Sequence, residues 1–109
     1  MSFKSKRSKL TDISTKVKEI VYERDGGRCI ICGLAGLPNA HYIPRSKSGL
    51  GIEENVVTLC IYHHQKYDNG YLREEIGNSI REYLKSKYGD SWSEEKLTYN
   101  KWENFKFNK

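Results

Sequence analysis

Residues 29–32 read Cys-Ile-Ile-Cys and residues 60–63 read Cys-Ile-Tyr-His. Each stretch is a pair of potential metal ligands separated by two residues, a spacing that lets both side chains reach one tetrahedral ion. Together the pairs supply three thiolates and one imidazole, which is a complete ligand set for a structural zinc. The alternative is three buried cysteines with an ordinary surface histidine. The sequence favours a zinc site, formed by Cys29, Cys32, Cys60 and His63.

The cysteine count and the length of the chain also favour a metal site over disulfides. Three cysteines are an odd number, so a disulfide framework would leave one thiol unpaired. A chain of 109 residues with 37% hydrophobic residues has a lean core, which a bound metal would help to stabilise. No apolar run is long enough to span a membrane and no apolar segment follows the basic N-terminus, so the expected location is the cytoplasm.

The charge of the chain is unevenly distributed. Residues 1–48 contain ten basic and four acidic side chains, a net charge of +6, whereas the remainder contains nine basic and ten acidic ones. A basic half is typical of a protein that binds a polyanion. The alternative is that the basic residues of the first ten positions form a solvated tail. We expect residues 1–10 to be flexible and residues 11–109 to form a single domain.

Hydrophobic spacing predicts a helix in the N-terminal quarter of the chain. Apolar residues recur at helical intervals from Ile13 to Val21. Thr11 or Asp12 would cap the start of this helix, and Gly26 would end it.

The rest of the chain predicts a β-hairpin followed by helices. Residues 39–43 and 56–58 favour two strands joined by a long loop. A short helix is expected at residues 61–68 and an amphipathic helix from Leu72 to Gly89. A last helix is expected to begin near residues 91–95. Four C-terminal residues are expected to pack as core or docking residues: Trp92, Leu97, Trp102 and Phe105.

Three further residues lie between and beside the two ligand pairs. His41 begins the segment His-Tyr-Ile-Pro at residues 41–44, Asn55 precedes Cys60 by five residues, and His64 follows the second pair directly. This arrangement resembles the HNH nuclease family, and in particular its small zinc-binding members from phages and mobile elements. The resemblance covers about residues 20–70 and implies the ββα-metal fold.

The resemblance implies a role for each of these residues. His41 matches the general base that activates water, and Asn55 matches the central asparagine that holds the hairpin loop and the histidine in place. His64 matches a ligand of a catalytic divalent metal, which could be Mg²⁺, Mn²⁺, Ni²⁺ or Zn²⁺. His63 stands where the family usually has a fourth zinc-binding cysteine.

One position departs from the family pattern. The residue before the general base is usually a second ligand of the catalytic metal, but here it is Ala40. Asp68 lies four residues after His64, on the same face of a helix, and is the expected replacement ligand. Asn39 is a weaker candidate. Arg45 and Lys47 follow the first strand and could contact phosphate groups.

The sequence thus predicts an α+β fold: a zinc-stapled ββα-metal core at about residues 20–70, an N-terminal helix, and a C-terminal helical extension at about 71–109. The implied function is metal-dependent endonuclease activity that hydrolyses DNA phosphodiester bonds. Two alternatives are a non-catalytic zinc-stapled module that binds DNA and a zinc domain that binds another protein. The sequence leaves the oligomeric state open.

Overall fold

The computed structural model describes residues 6–99, which form a small α+β domain. It contains a two-stranded antiparallel sheet, four α-helices and four short 3-10 turns. The helices are α1 (Lys6–Thr11), α2 (Thr15–Asp25), α3 (Ile61–Asp68) and α4 (Arg73–Tyr88), and the strands are β1 (Leu37–His41) and β2 (Val56–Leu59). The 3-10 turns are Arg45–Lys47, Glu53–Asn55, Gly89–Ser91 and Glu94–Leu97.

The helix expected after residue 11 is present, but it begins later than predicted. Ser14 is its N-cap, and its hydroxyl oxygen accepts a hydrogen bond from the main-chain N–H of Val17 at 3.2 Å. Neither Thr11 nor Asp12 caps it, because Thr11 is the last residue of the separate helix α1. The predicted end is confirmed: Gly26 adopts a left-handed conformation with φ 67° directly after Asp25, which glycine does at little cost.

Residues 6–10, which fall within the expected flexible tail, belong to helix α1. The side chain of Arg7 donates to the hydroxyl of Ser48 at 3.0 Å, and the main-chain N–H of Gly51 donates to the carbonyl of Leu10 at 2.9 Å. These contacts hold α1 against the loop between the two strands. Residues 1–5 lie outside the described part of the chain.

The sheet begins two residues earlier than predicted. Ala40 pairs with Val57 and Leu37 pairs with Leu59, so the register shifts by one residue between the two pairs. This bulge leaves Pro38 and Asn39 opposite a single residue of β2. The predicted second strand at residues 56–58 is confirmed as part of β2.

The two helices after the sheet agree with the predictions. Helix α3 has the expected bounds, Ile61–Asp68, and α4 ends at Gly89. Ile76, Ile80 and Leu84 of α4 are buried in one hydrophobic core together with residues of the sheet, which is the outcome that their helical spacing favours.

The segment after α4 differs from the prediction. In place of an α-helix, residues 94–97 form a single 3-10 turn, with Ser93 as its N-cap. Trp92 and Leu97 are buried in the core, as expected. Trp102 and Phe105 lie outside the described residues. Within residues 6–99, none of the helices combines the length and the apolar character that crossing a membrane would require.

Candidate metal centre and active site

The two predicted ligand pairs meet at one point. The ligand atoms of Cys29, Cys32, Cys60 and His63 all lie within 4.8 Å of one another, and this group could hold a metal ion. The Nδ1 atom of His63 lies 3.3 Å from the sulfur of Cys60 and 3.6 Å from that of Cys29. The sulfurs of Cys32 and Cys60 are 3.7 Å apart. Tetrahedral zinc would place sulfur atoms about 3.8 Å apart and sulfur and nitrogen about 3.5 Å apart, so these distances suit zinc.

Local hydrogen bonds explain how the first pair is shaped. The N–H of Gly33 donates to the carbonyl of Cys29 at 2.9 Å, and the N–H of Cys29 donates to the carbonyl of Leu34 at 2.7 Å. These bonds close a tight turn that brings both cysteines to one side. A bond from the N–H of Ile30 to the carbonyl of Thr58, 3.1 Å long, attaches the turn to β2.

The second pair lies at the start of α3. Cys60 is the N-cap of this helix, and its sulfur accepts a hydrogen bond from the N–H of His63 at 3.5 Å. The first helical turn therefore brings His63 next to Cys60, which immediately follows β2. Strand β2 is thus hydrogen-bonded to the turn of the first ligand pair and leads directly into the second pair.

The electrostatics of the cysteines are also those of a cation site. Burial works against ionisation of Cys29, but main-chain N–H groups, first among them that of Cys60, lower its pKa overall. At Cys32 the N–H of Leu34 favours ionisation, yet the neighbouring thiols of Cys60 and Cys29 raise the pKa overall. A divalent cation among the sulfurs would offset this mutual repulsion of thiolates.

His41 is the last residue of β1 and is partly buried. Its Nε2 atom lies 2.8 Å from the main-chain carbonyl oxygen of Thr11. Burial lowers the pKa of His41, and the nearby charge of Arg45 lowers it further, while the contact with Thr11 and the charge of Asp68 act in the opposite direction. The net shift of the pKa is downward, so the site favours the neutral form of the imidazole.

Asn55 is completely buried at the end of the hairpin loop. Its Oδ1 accepts from the N–H of Ile43 at 2.9 Å, and its Nδ2 donates to the carbonyls of Ile43 at 3.1 Å and Leu50 at 2.8 Å. Its own carbonyl accepts from the N–H of Tyr42 at 2.7 Å. Asn55 therefore holds together both ends of the loop that follows His41.

His64 and Asp68 lie together on α3. The Nε2 atom of His64 is 3.2 Å from Oδ2 of Asp68, and the aspartate side chain is 63% exposed. The charges of both residues affect the pKa of His41, so the three side chains are within electrostatic range. Among residues 6–99, the zinc-type group of Cys29, Cys32, Cys60 and His63 is the only cluster of three or more His, Cys, Asp or Glu side chains that could hold a metal ion. No third side chain of these types therefore joins His64 and Asp68.

Ala40 and Asn39 are placed differently from what an open metal site requires. Ala40 is completely buried in the hydrophobic core and pairs with Val57. A carboxylate at this position would enter the core. The Oδ1 atom of Asn39 is buried and has no hydrogen-bond partner among the described residues. Ala40 therefore cannot complete the His64–Asp68 pair.

The two predicted phosphate contacts are exposed, but Arg45 is already engaged. Its guanidinium lies 2.5 Å from the carboxylate of Asp12. Lys47 lines an open groove together with Arg73 of α4. Sequence reasoning missed the N-terminal residues that contact this region: Arg7, Thr11 and Asp12. Thr11 contacts His41 through its main-chain carbonyl, and Arg7 donates to the main-chain carbonyl of Arg45. Main-chain atoms leave no trace in a side-chain pattern.

The chain thus brings the zinc-type group, the buried Asn55 and the three side chains of His41, His64 and Asp68 around one short hairpin. All of these side chains lie within residues 6–99, the part of the chain that the structure describes. Comparison of the chain with protein-family models and with curated proteins finds no match.

Proposed function

We propose that this chain is a metal-dependent endonuclease of the HNH type that hydrolyses phosphodiester bonds in DNA, in the cytoplasm of a bacterial cell or a phage-infected host. One observation carries the proposal: Asn55 holds the loop that follows His41, and the charges of Asp68 and His64 both act on the pKa of this histidine. The sequence resemblance assigns the general-base role to His41 and a metal-binding role to His64, and the helical spacing adds Asp68 as the replacement ligand.

The donor atoms of the His64–Asp68 pair fit a shared divalent cation. Two ligands of one ion at about 2.1 Å each lie roughly 3 Å apart, and the two atoms are 3.2 Å apart here. The exposure of Asp68 leaves room for water and substrate phosphate to complete the coordination. Such a cation, when bound, neutralises charge on the phosphoryl oxygens and on the leaving oxygen.

The residues of the chain would supply the remaining functions. His41 accepts the proton of the attacking water, a task for which a neutral imidazole is suited. Asn55 keeps the loop after His41 in place, so that the base does not move relative to α3. Lys47 contacts the phosphate backbone, and Arg45 does so after exchanging its bond to Asp12 for one to phosphate.

A plasmid-nicking assay with a series of divalent metals tests the proposal. His41→Ala removes the base but leaves the metal pair, so cleavage should fall by roughly 10²–10⁴-fold while divalent-metal binding persists. His64→Ala and Asp68→Ala should instead weaken metal binding, and excess metal should partly restore cleavage. Nicking by His41→Ala at the rate of the parent protein would refute the mechanism.

A second candidate is a non-catalytic zinc-stapled module that binds DNA. The observation in its favour is that no third His, Cys, Asp or Glu side chain joins the His64–Asp68 pair among residues 6–99, and that Ala40 lies in the core. Both candidates predict DNA affinity that falls steeply with salt, because the contacts are mainly to phosphates. Salt-dependent DNA binding without nicking under any divalent metal would favour the second candidate.

A further inference from the structure

We propose that the N-terminal segment of residues 7–12 is part of the candidate active site, and that the main-chain carbonyl of Thr11 positions the imidazole of His41. This inference rests on the proposed function, in which His41 is the general base. It adds a positioning residue from a part of the chain that lies outside the stretch resembling HNH nucleases.

The contact between Thr11 and His41 determines which ring nitrogen is basic. Thr11 is the last residue of α1, and carbonyls in a final helical turn have no partner within the helix. A carbonyl oxygen only accepts hydrogen bonds, so the Nε2 atom of His41, 2.8 Å away, carries the hydrogen. The Nδ1 atom of the neutral ring is then the nitrogen that can take a proton from water.

The carbonyl of Thr11 is itself held in place from inside α1. Thr11 is 1% exposed, and its hydroxyl donates to the carbonyl of Arg7 at 2.9 Å. The last turn of α1 is therefore closed by a side chain as well as by the main chain. The direction of the carbonyl of Thr11 follows from this packing.

The segment is also fixed to the hairpin loop by bonds that do not involve His41. The guanidinium of Arg7 donates to the hydroxyl of Ser48 at 3.0 Å and to the carbonyl of Arg45. The carboxylate of Asp12 lies 2.5 Å from the guanidinium of Arg45. The loop that carries the predicted phosphate contacts is thus the surface on which residues 7–12 dock.

A substitution at Gly51 is expected to displace the N-terminal segment of residues 7–12. A Cβ atom at this position would lie 2.0 Å from the carbonyl oxygen of Asp12, which is far closer than two such atoms can approach. The φ angle of Gly51 lies outside the left-handed region, so an alanine there is not strained by its own backbone. Gly51→Ala should therefore act by pushing residues 11–12 away from the loop and from His41.

Nuclear magnetic resonance of the full-length, zinc-loaded protein tests the inference. The chain has three histidines, so long-range nitrogen–proton spectra can assign the hydrogen-bearing nitrogen of each neutral ring. In the parent protein, His41 should carry its hydrogen on Nε2. In Gly51→Ala this pattern should shift toward a mixture of the two neutral forms. Lys6→Ala, at an exposed position of the same helix outside residues 7–12, should leave it unchanged.

Zinc content and thermal unfolding of each variant show whether the fold is intact, and Arg7→Ala replaces Gly51→Ala if the latter does not fold. Nicking by a folded Gly51→Ala or Arg7→Ala protein should be roughly 10–100-fold slower than that of the parent. A hydrogen on Nδ1 of His41 in the parent, or a parental His41 spectrum in both variants, overturns the inference. A parent protein with the expected spectrum that nicks no DNA overturns the proposed function and leaves the Thr11–His41 contact standing.

Discussion

Ala40 limits what the strand before His41 can bind. Its side chain is completely buried, it pairs with Val57, and it belongs to the same hydrophobic core as Ile76 and Ile80. From the family resemblance, an aspartate at position 40 is expected to restore a metal ligand. The burial of Ala40 favours a different outcome, because a carboxylate at this position would leave water and enter an apolar core.

We therefore predict that Ala40→Asp destabilises the protein instead of tightening metal binding. The free energy of unfolding of the zinc-loaded protein should fall by about 3–5 kcal/mol, as for an unpaired buried charge, and urea denaturation measures it. Ala35→Asp is the matched control, because Ala35 is exposed and its replacement should change the value by less than about 0.5 kcal/mol. Undiminished stability with tighter divalent-metal binding would contradict this placement of Ala40.

At the scale of the elements, two adjacent residues at the end of α2 connect it to the hairpin and to α4. Arg24 donates to the carbonyls of Glu53 and Val56, each at 2.7 Å, and to the hydroxyl of Tyr88 at 3.0 Å. Asp25 pairs with Arg24 and accepts from the N–H of Thr58 at 2.8 Å. Burial opposes the charge of Arg24, but its bonds to Asp25 and Tyr88 raise its pKa overall.

Replacing Arg24 by lysine should remove most of the hydrogen bonds that connect these elements while keeping the positive charge. One ammonium group cannot reach two carbonyls, a hydroxyl and a carboxylate at once, so buried acceptors would lose their donors. We expect Arg24→Lys to lower the free energy of unfolding by about 2 kcal/mol, measured by chemical denaturation. Arg28→Lys serves as the control, because the side chain of Arg28 is exposed and donates to the carbonyl of Gly33 at 3.1 Å. An equal loss of stability in Arg28→Lys would refute the argument.

Helix ends were predictable where a local signal marks them. Gly26, Asn69 with Gly70, and Gly89 stand at the ends of three helices. The shift of β1 was not predictable, because it depends on a bulge that exists only in pairing with β2. The docking of α1 was missed for a related reason: Arg7 and Ser48 are 41 positions apart, and neither belongs to a recognisable motif.

Some features of the candidate site could likewise be predicted from the sequence and others could not. The zinc-type group follows from two short spacings, and the adjacency of His64 and Asp68 follows from the helical repeat. The contact of His41 with Thr11 uses a main-chain oxygen, which every residue possesses. The burial of Ala40 could not be predicted, because it depends on which face of the sheet α4 covers. Side-chain chemistry was thus readable in the sequence, whereas main-chain contacts and burial required the fold.

At the scale of the whole molecule, the zinc-type group joins segments of the chain that share one hydrophobic core. Cys29 and Cys60 belong to the same buried cluster as Leu84 and Trp92. A structural zinc contributes roughly 10 kcal/mol or more to the folding of a small domain, and the entire stability of such a domain is about 5–15 kcal/mol. The metal would therefore be needed for the fold as well as for the local geometry.

We predict that a chelator, or the substitution His63→Ala, abolishes tight zinc binding and cooperative unfolding. Native mass spectrometry reports the bound zinc, and circular dichroism reports the unfolding transition. His64→Ala is the matched control at the adjacent histidine, because His64 is not a member of the four-residue group, and it should retain one tightly bound zinc. A metal-free protein that unfolds as cooperatively as the parent would rule out a structural ion.

The two ligand pairs also determine the order in which the site can assemble. The whole two-stranded sheet lies between Cys32 and Cys60, so joining the pairs closes a loop of the disordered chain at a cost of about 3 kcal/mol in chain entropy. During synthesis, Cys29 and Cys32 emerge first and can offer an ion two ligands, which hold it weakly. Formation of the hairpin then brings Cys60 and His63 into place. In a chain that binds zinc at this group, capture of the ion and formation of the sheet would therefore be a single cooperative step.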